Sequence, residues 1–166
     1  MDDTSMATAT KPWRRKLSFA TLDDVVRDTE NLQGQGYEKV GNWDLAQVCL
    51  HLADWMGFPL DGFPKPPLPI RFMLWGLRNT IGKKMFHKYL AEGMPAGKPT
   101  MPQTLHQPGT DSTKAIAKLK EAAERFKAYT GPIHPSPLFG AMDKDEATRL
   151  QLVHCALHLS FLIPKT

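Results

Sequence analysis

Fourteen prolines, most of them clustered, decide where this chain can be helical. Proline has no backbone N–H and its ring clashes with the preceding turn, so each cluster marks a connection between elements. The clusters are Pro59, Pro64, Pro66, Pro67 and Pro69; then Pro95, Pro99, Pro102 and Pro108; then Pro132, Pro135 and Pro137. Between them lie segments that read as helices. Leu22 to Gln33 opens on Thr21 and Asp24 in a capping-box arrangement and stops at Gly34 and Gly36. Trp43 to Met56, with Asn42 as its expected cap, presents Leu45, Val48, Leu52, Trp55 and Met56 at helical spacing. Ile70 to Ala91 is less periodic and contains Gly76 and Gly82, which suggests a broken, peripheral helix. Ser112 to Tyr129 has no proline or glycine and carries the stripe Ala115, Ile116, Leu119, Ala123 and Phe126. The last helix is expected from Lys144 to Ile163, opening on the capping pair Asp143 and Glu146 and ending at Pro164.

Alternating β-branched runs joined by tight turns are nearly absent, so the expected class is all-α. Four helices with one long proline-rich crossover, itself carrying an extra helix, imply a four-helix bundle; an irregular five-helix domain is the alternative. The chain is sized for one domain, expected over residues 14–166 behind a flexible tail over residues 1–13. The expected core is Leu45, Val48, Leu52, Ile116, Leu119, Phe126, Val153, Leu157 and Phe161.

The net charge of +4 is mild, and neither a basic face nor a nucleic-acid reading motif stands out, so no nucleic-acid partner is expected. Arg14-Arg15 resembles the start of a twin-arginine signal, but Leu22-Asp-Asp-Val follows where such a signal needs an uncharged apolar stretch. The uncharged run from Leu150 to Pro164 is shorter than the ~20 residues a membrane-spanning helix needs, so no membrane partner is expected either. Cys49 and Cys155 lie in apolar helical segments and read as reduced core thiols of a cytoplasmic protein.

The last helix carries the chemistry. Between Leu150 and Ile163 it has no charged residue, yet it holds His154 and His158, which the helical repeat places on one face. Buried imidazoles need partners, and a divalent metal supplies one. An i, i+4 pair alone is more often structural than ligating, so a third ligand is required. His51, at the edge of the apolar stripe of the second helix, can reach the same interior. His87, His106 and His134 lie in polar or proline-rich surroundings and are assigned to the surface by default. Cys155, Ala156 and Leu157 separate the helical pair, so the His-Glu-x-x-His pattern of zinc proteases is missing. A nucleophile elbow, a phosphate-cradling loop and a dinucleotide fingerprint are missing too.

The segments Asn42-Trp-Asp-Leu-Ala-Gln-Val-Cys-Leu-His51-Leu-Ala-Asp54 and Leu152-Val-His154-Cys-Ala-Leu-His158-Leu-Ser-Phe-Leu resemble the DinB/YfiT-like metalloenzyme superfamily. Arg14-Arg-Lys-Leu-Ser-Phe-Ala-Thr-Leu-Asp-Asp24 and His134-Pro-Ser-Pro-Leu-Phe-Gly140 are similar to its uncharacterised bacterial branch, the domain-of-unknown-function family 1569. The resemblance implies a bundle whose metal ligands are His51, His154 and His158, with Ni, Zn or Fe as the ion. It also implies a metal-dependent transferase or hydrolase acting on a small molecule, with a low-molecular-weight thiol as a candidate co-substrate and a homodimer as a candidate assembly. Relatives often place a further histidine where this chain has Leu157. His134, just before the last helix, is the weak candidate for lining the pocket or moving protons. Two other readings stay open: a non-catalytic scaffold with a structural metal or none, and a crossover whose Trp75, Arg78, Lys83 and Lys84 form a partner surface or lid.

Overall fold

The computed structural model describes residues 14–165; the tail expected over residues 1–13 lies outside them. The fold is all-α. Four helices, α1 (Leu22–Gln35), α2 (Leu45–Asp61), α5 (Ser112–Ala128) and α6 (Lys144–Leu159), form the bundle. The crossover between α2 and α5 carries α3 (Leu68–Leu77) and α4 (Lys83–Glu92), joined by a π-helical turn over Arg78–Gly82.

Short polar side chains set the helix starts. Capping boxes open α1 at Thr21 with Asp24, α2 at Asp44 with Gln47, and α6 at Asp143 with Glu146, and each satisfies backbone donors that the helix itself leaves unpaired. The cap of α2 is therefore Asp44 rather than Asn42, because only Asp44 stands three residues before a glutamine that can reach back to it. This helix also runs beyond Met56 to Asp61 with Pro59 inside it. Pro59 leaves the Trp55 carbonyl without its i+4 donor, and Gln151 Nε2 of α6 donates to that carbonyl at 3.0 Å. A side chain from a neighbouring helix thus repairs the proline break and ties α2 to α6.

The core is drawn from all four bundle helices: Val25 and Leu32 from α1, Leu45, Leu52 and Met56 from α2, Leu119 and Phe126 from α5, and Cys155 and Leu159 from α6. Six of the expected core positions are buried, namely Leu45, Val48, Leu52, Ile116, Leu119 and Phe126. Val153 and Leu157 are only partly buried, because α6 packs through Ala147, Gln151, Cys155 and Leu159 instead. Phe161 is also partly buried and lies beyond the helix. The end of α6 comes at Leu159, earlier than expected, because Leu162–Pro164 pairs antiparallel with Tyr37–Lys39, in the register Tyr37↔Pro164 and Lys39↔Leu162. Lys144, at the start of α6, donates to the Phe126 and Tyr129 carbonyls at the end of α5, which satisfies orphaned acceptors there.

The expected break in the crossover helix is the π turn. Gly82 is buried at its end, where an added Cβ would overlap the Leu138 carbonyl oxygen. Backbone cannot yield as a side-chain tip can, so Gly82→Ala is expected to destabilise the protein by about 1–3 kcal/mol in chemical denaturation. An unchanged midpoint would show that α4 is not held against the 138–142 segment.

Candidate metal centre

Three imidazoles meet at the seam between α2 and α6. His51 comes from α2, and His154 and His158 come one turn apart from α6. Their ligating atoms all lie within 4.8 Å of one another. His51 Nε2 stands 3.3 Å from His154 Nε2, and the ring centroids of His51 and His158 are 4.5 Å apart. His51 is completely buried, whereas His154 and His158 are partly buried.

The surroundings fix how the rings present themselves. His51 Nδ1 lies 3.2 Å from the carbonyl of buried Thr104, which can only accept, so Nδ1 carries the proton and Nε2 turns its lone pair toward His154. The indole of Trp43 stacks on His158 at 5.2 Å with an interplanar angle of 6°. Trp55 meets His154 edge to face at 5.3 Å. These contacts lock ring orientations, which is what a preorganised ligand set requires.

Burial also keeps the imidazoles neutral. Desolvation pushes His51 down to about 4 and His158 down to about 3, and His154 falls well below the ordinary value. The neighbouring histidines push the same way for His154 and His158, since a second positive charge in the cluster is disfavoured. Neutral imidazole is the form that binds a metal. The geometry passes the corresponding test: two nitrogens on one tetrahedral ion at ~2.1 Å stand roughly 3.4 Å apart, and the His51–His154 nitrogens stand 3.3 Å apart. The group could therefore hold a metal ion.

The other histidines are not part of this group. Exposed His134 sits beside Gly62 and, with Phe63, Phe72 and Trp75, lines a groove of about 870 Å³ along α3. His87 is exposed, as expected. His106 is not a simple surface residue: its Nε2 lies 2.7 Å from Asp54 Oδ2, and its carbonyl accepts from Gln47 Nε2 at 2.7 Å. This pairing pins the loop that carries Thr104 onto α2. Both Thr104 and the stacking Trp43 were invisible as site residues in sequence; the only available signal was that Trp43 and Asp54 fall inside the segment around His51. Cys49 and Cys155 are free and buried, with burial raising both thiols, Cys49 to about 12, so neither is a poised nucleophile.

A family model described as "Protein of unknown function (DUF1569)" matches residues 11–165. No curated protein and no solved structure matches the chain.

Proposed function

The chain belongs to the DUF1569 family, whose function is unknown, and we propose that it is a metal-dependent enzyme of the DinB/YfiT-like kind acting on a small molecule. His51, His154 and His158 would hold one divalent ion, Ni, Zn or Fe, and a remaining coordination position would take water or a low-molecular-weight thiol. When bound, such an ion lowers the pKa of a coordinated water or thiol and so supplies a nucleophile at neutral pH. The observation that carries this reading is the convergence of three neutral imidazoles, with ligating atoms all within 4.8 Å of one another.

The residues of the chain divide the work. The Thr104 carbonyl holds the Nδ1 proton of His51, which keeps Nε2 available as a donor of electrons. Trp43 and Trp55 surround the triad with aromatic surface, lowering the local dielectric and strengthening any charge interaction formed there. Partial exposure of His158, in contrast to fully buried His51, gives the α6 side of the triad its route to solvent. Three ligands with a remaining position is the catalytic pattern, whereas structural sites close with four protein ligands. Among the described residues no cysteine or carboxylate joins the group as a fourth. Cytoplasmic residence fits the two unpaired cysteines.

Cobalt substitution tests the open position. The Co(II)-loaded protein is expected to show visible ligand-field bands that change on adding 2-mercaptoethanol, with a new near-ultraviolet sulfur-to-cobalt band. A spectrum indifferent to thiol, azide and pH would mean a closed coordination sphere and would leave the scaffold reading in its place.

A further inference from the structure

We propose that α3 docks this protein on an anionic membrane surface, lying in the interface rather than crossing it. The observation is an apolar helix left uncovered. Not one residue of α3 is buried. Leu68, Phe72 and Trp75, at i, i+4 and i+7, are 63%, 72% and 62% exposed and form one stripe. Folded proteins seldom leave so much contiguous aromatic and aliphatic surface in water without a use for it.

Charge identifies the occupant. Residues 62–91 contain Lys65, Arg71, Arg78, Lys83, Lys84 and Lys88 but no Asp or Glu. Arg71 and Arg78, seven residues apart, line one edge of the stripe on the helical wheel, and among the described residues neither pairs with a carboxylate. An apolar stripe with cations along one edge fits a layer whose phosphates lie above hydrocarbon, with Trp75 at the headgroup level. A second copy of the chain fits less well, since a two-fold contact through this face would set cations against cations. Nucleic acid would match the charge but leave Leu68 and Phe72 in water. The segment that follows α3 is anchored to the bundle: Lys83 Nζ donates to the Ala141 carbonyl at 2.9 Å, and Gly82 lies flush against Leu138. The expectation of no membrane partner rested on the lack of a spanning segment, and no helix of the described residues is long and apolar enough to cross a bilayer. Interfacial docking needs no such helix.

Vesicle co-sedimentation of the full chain tests the proposal. The protein is expected to sediment with mixed phosphatidylcholine–phosphatidylglycerol vesicles, less so as salt is added, and not with phosphatidylcholine alone. Phe72→Ser/Trp75→Ser is expected to weaken partitioning by roughly tenfold or more. Arg71→Glu/Arg78→Glu should weaken it by at least about tenfold. All four side chains lie outside the core, and unchanged circular dichroism would confirm that each variant folds. Failure of the parent protein to sediment with the anionic vesicles would overturn the proposal, as would undiminished binding by the serine variant. A parent dimer that the serine variant splits, with neither form binding vesicles, would assign the face to a second copy instead.

Discussion

His154→Ala is expected to lower the affinity for an added divalent metal by at least about 100-fold, because loss of a direct ligand exceeds the 10–100-fold typical of losing a group behind a ligand. The expectation follows from position. His154 Nε2 faces His51 Nε2 at 3.3 Å, so the substitution removes one of a pair of donor atoms at ligand spacing. Its ring also packs against Trp55 and His158, and alanine would open space beside the two remaining imidazoles, loosening the orientation of both. Two neutral nitrogens cannot enclose an ion as three do. Titration calorimetry on untagged, chelator-treated protein gives the reading, with His134→Ala as the control, since His134 lies on the α3 groove outside the cluster and should leave affinity unchanged. Equal affinity in the parent and His154→Ala would mean that the measured metal sits elsewhere on the chain.

The metal-free protein is expected to lose stability steeply between pH 6.5 and pH 4. In the unfolded chain each histidine takes up a proton near 6.5, whereas in the fold burial holds His51 down to about 4 and His158 down to about 3. Well above pH 6.5 neither state is protonated, so the three histidines cost nothing there. As the pH falls, protons bind the unfolded chain first and draw the equilibrium toward it, and the loss saturates only below the folded-state values. For His51 alone the loss at pH 4 is on the order of 3 kcal/mol, since each tenfold drop in proton affinity on folding is worth about 1.4 kcal/mol. His158 and His154 push in the same direction, and the total reaches the scale of a small domain's whole stability, about 5–15 kcal/mol. Metal should add stability near neutrality and lose that advantage in acid, because protons compete for the same nitrogens. Denaturant midpoints of the metal-free protein that stay flat from pH 6.5 to 4.5 would contradict the buried, neutral triad.

Much of this was legible in the sequence, for identifiable reasons. Caps at Thr21 and Asp143 are local, so these helix starts could be read from neighbouring residues alone. The triad was legible because the helical repeat places His154 and His158 on one face of an otherwise uncharged helix. The face of α6 that packs was not legible. That helix is apolar nearly all round, and Val153 and Leu157 looked as suitable for the core as Cys155 and Leu159 until the bundle chose between them. The continuation of α2 through Pro59 depended on Gln151, which lies far along the chain. Equally non-local is the pairing of Tyr37–Lys39 with Leu162–Pro164, strands too short to leave a periodic signal. The role of Thr104 belongs to its backbone carbonyl, which no residue type announces.

Whether the triad holds a metal is read from the metal content of untagged protein purified without chelator, measured by plasma emission spectrometry beside the His51→Ala/His158→Ala variant. The parent is expected to carry one equivalent of Ni, Zn or Fe per chain, released by acid, and the variant essentially none. A parent that carries no stoichiometric metal and takes up none when Ni, Zn and Fe(II) are supplied, or a variant that keeps a full equivalent, would contradict that expectation.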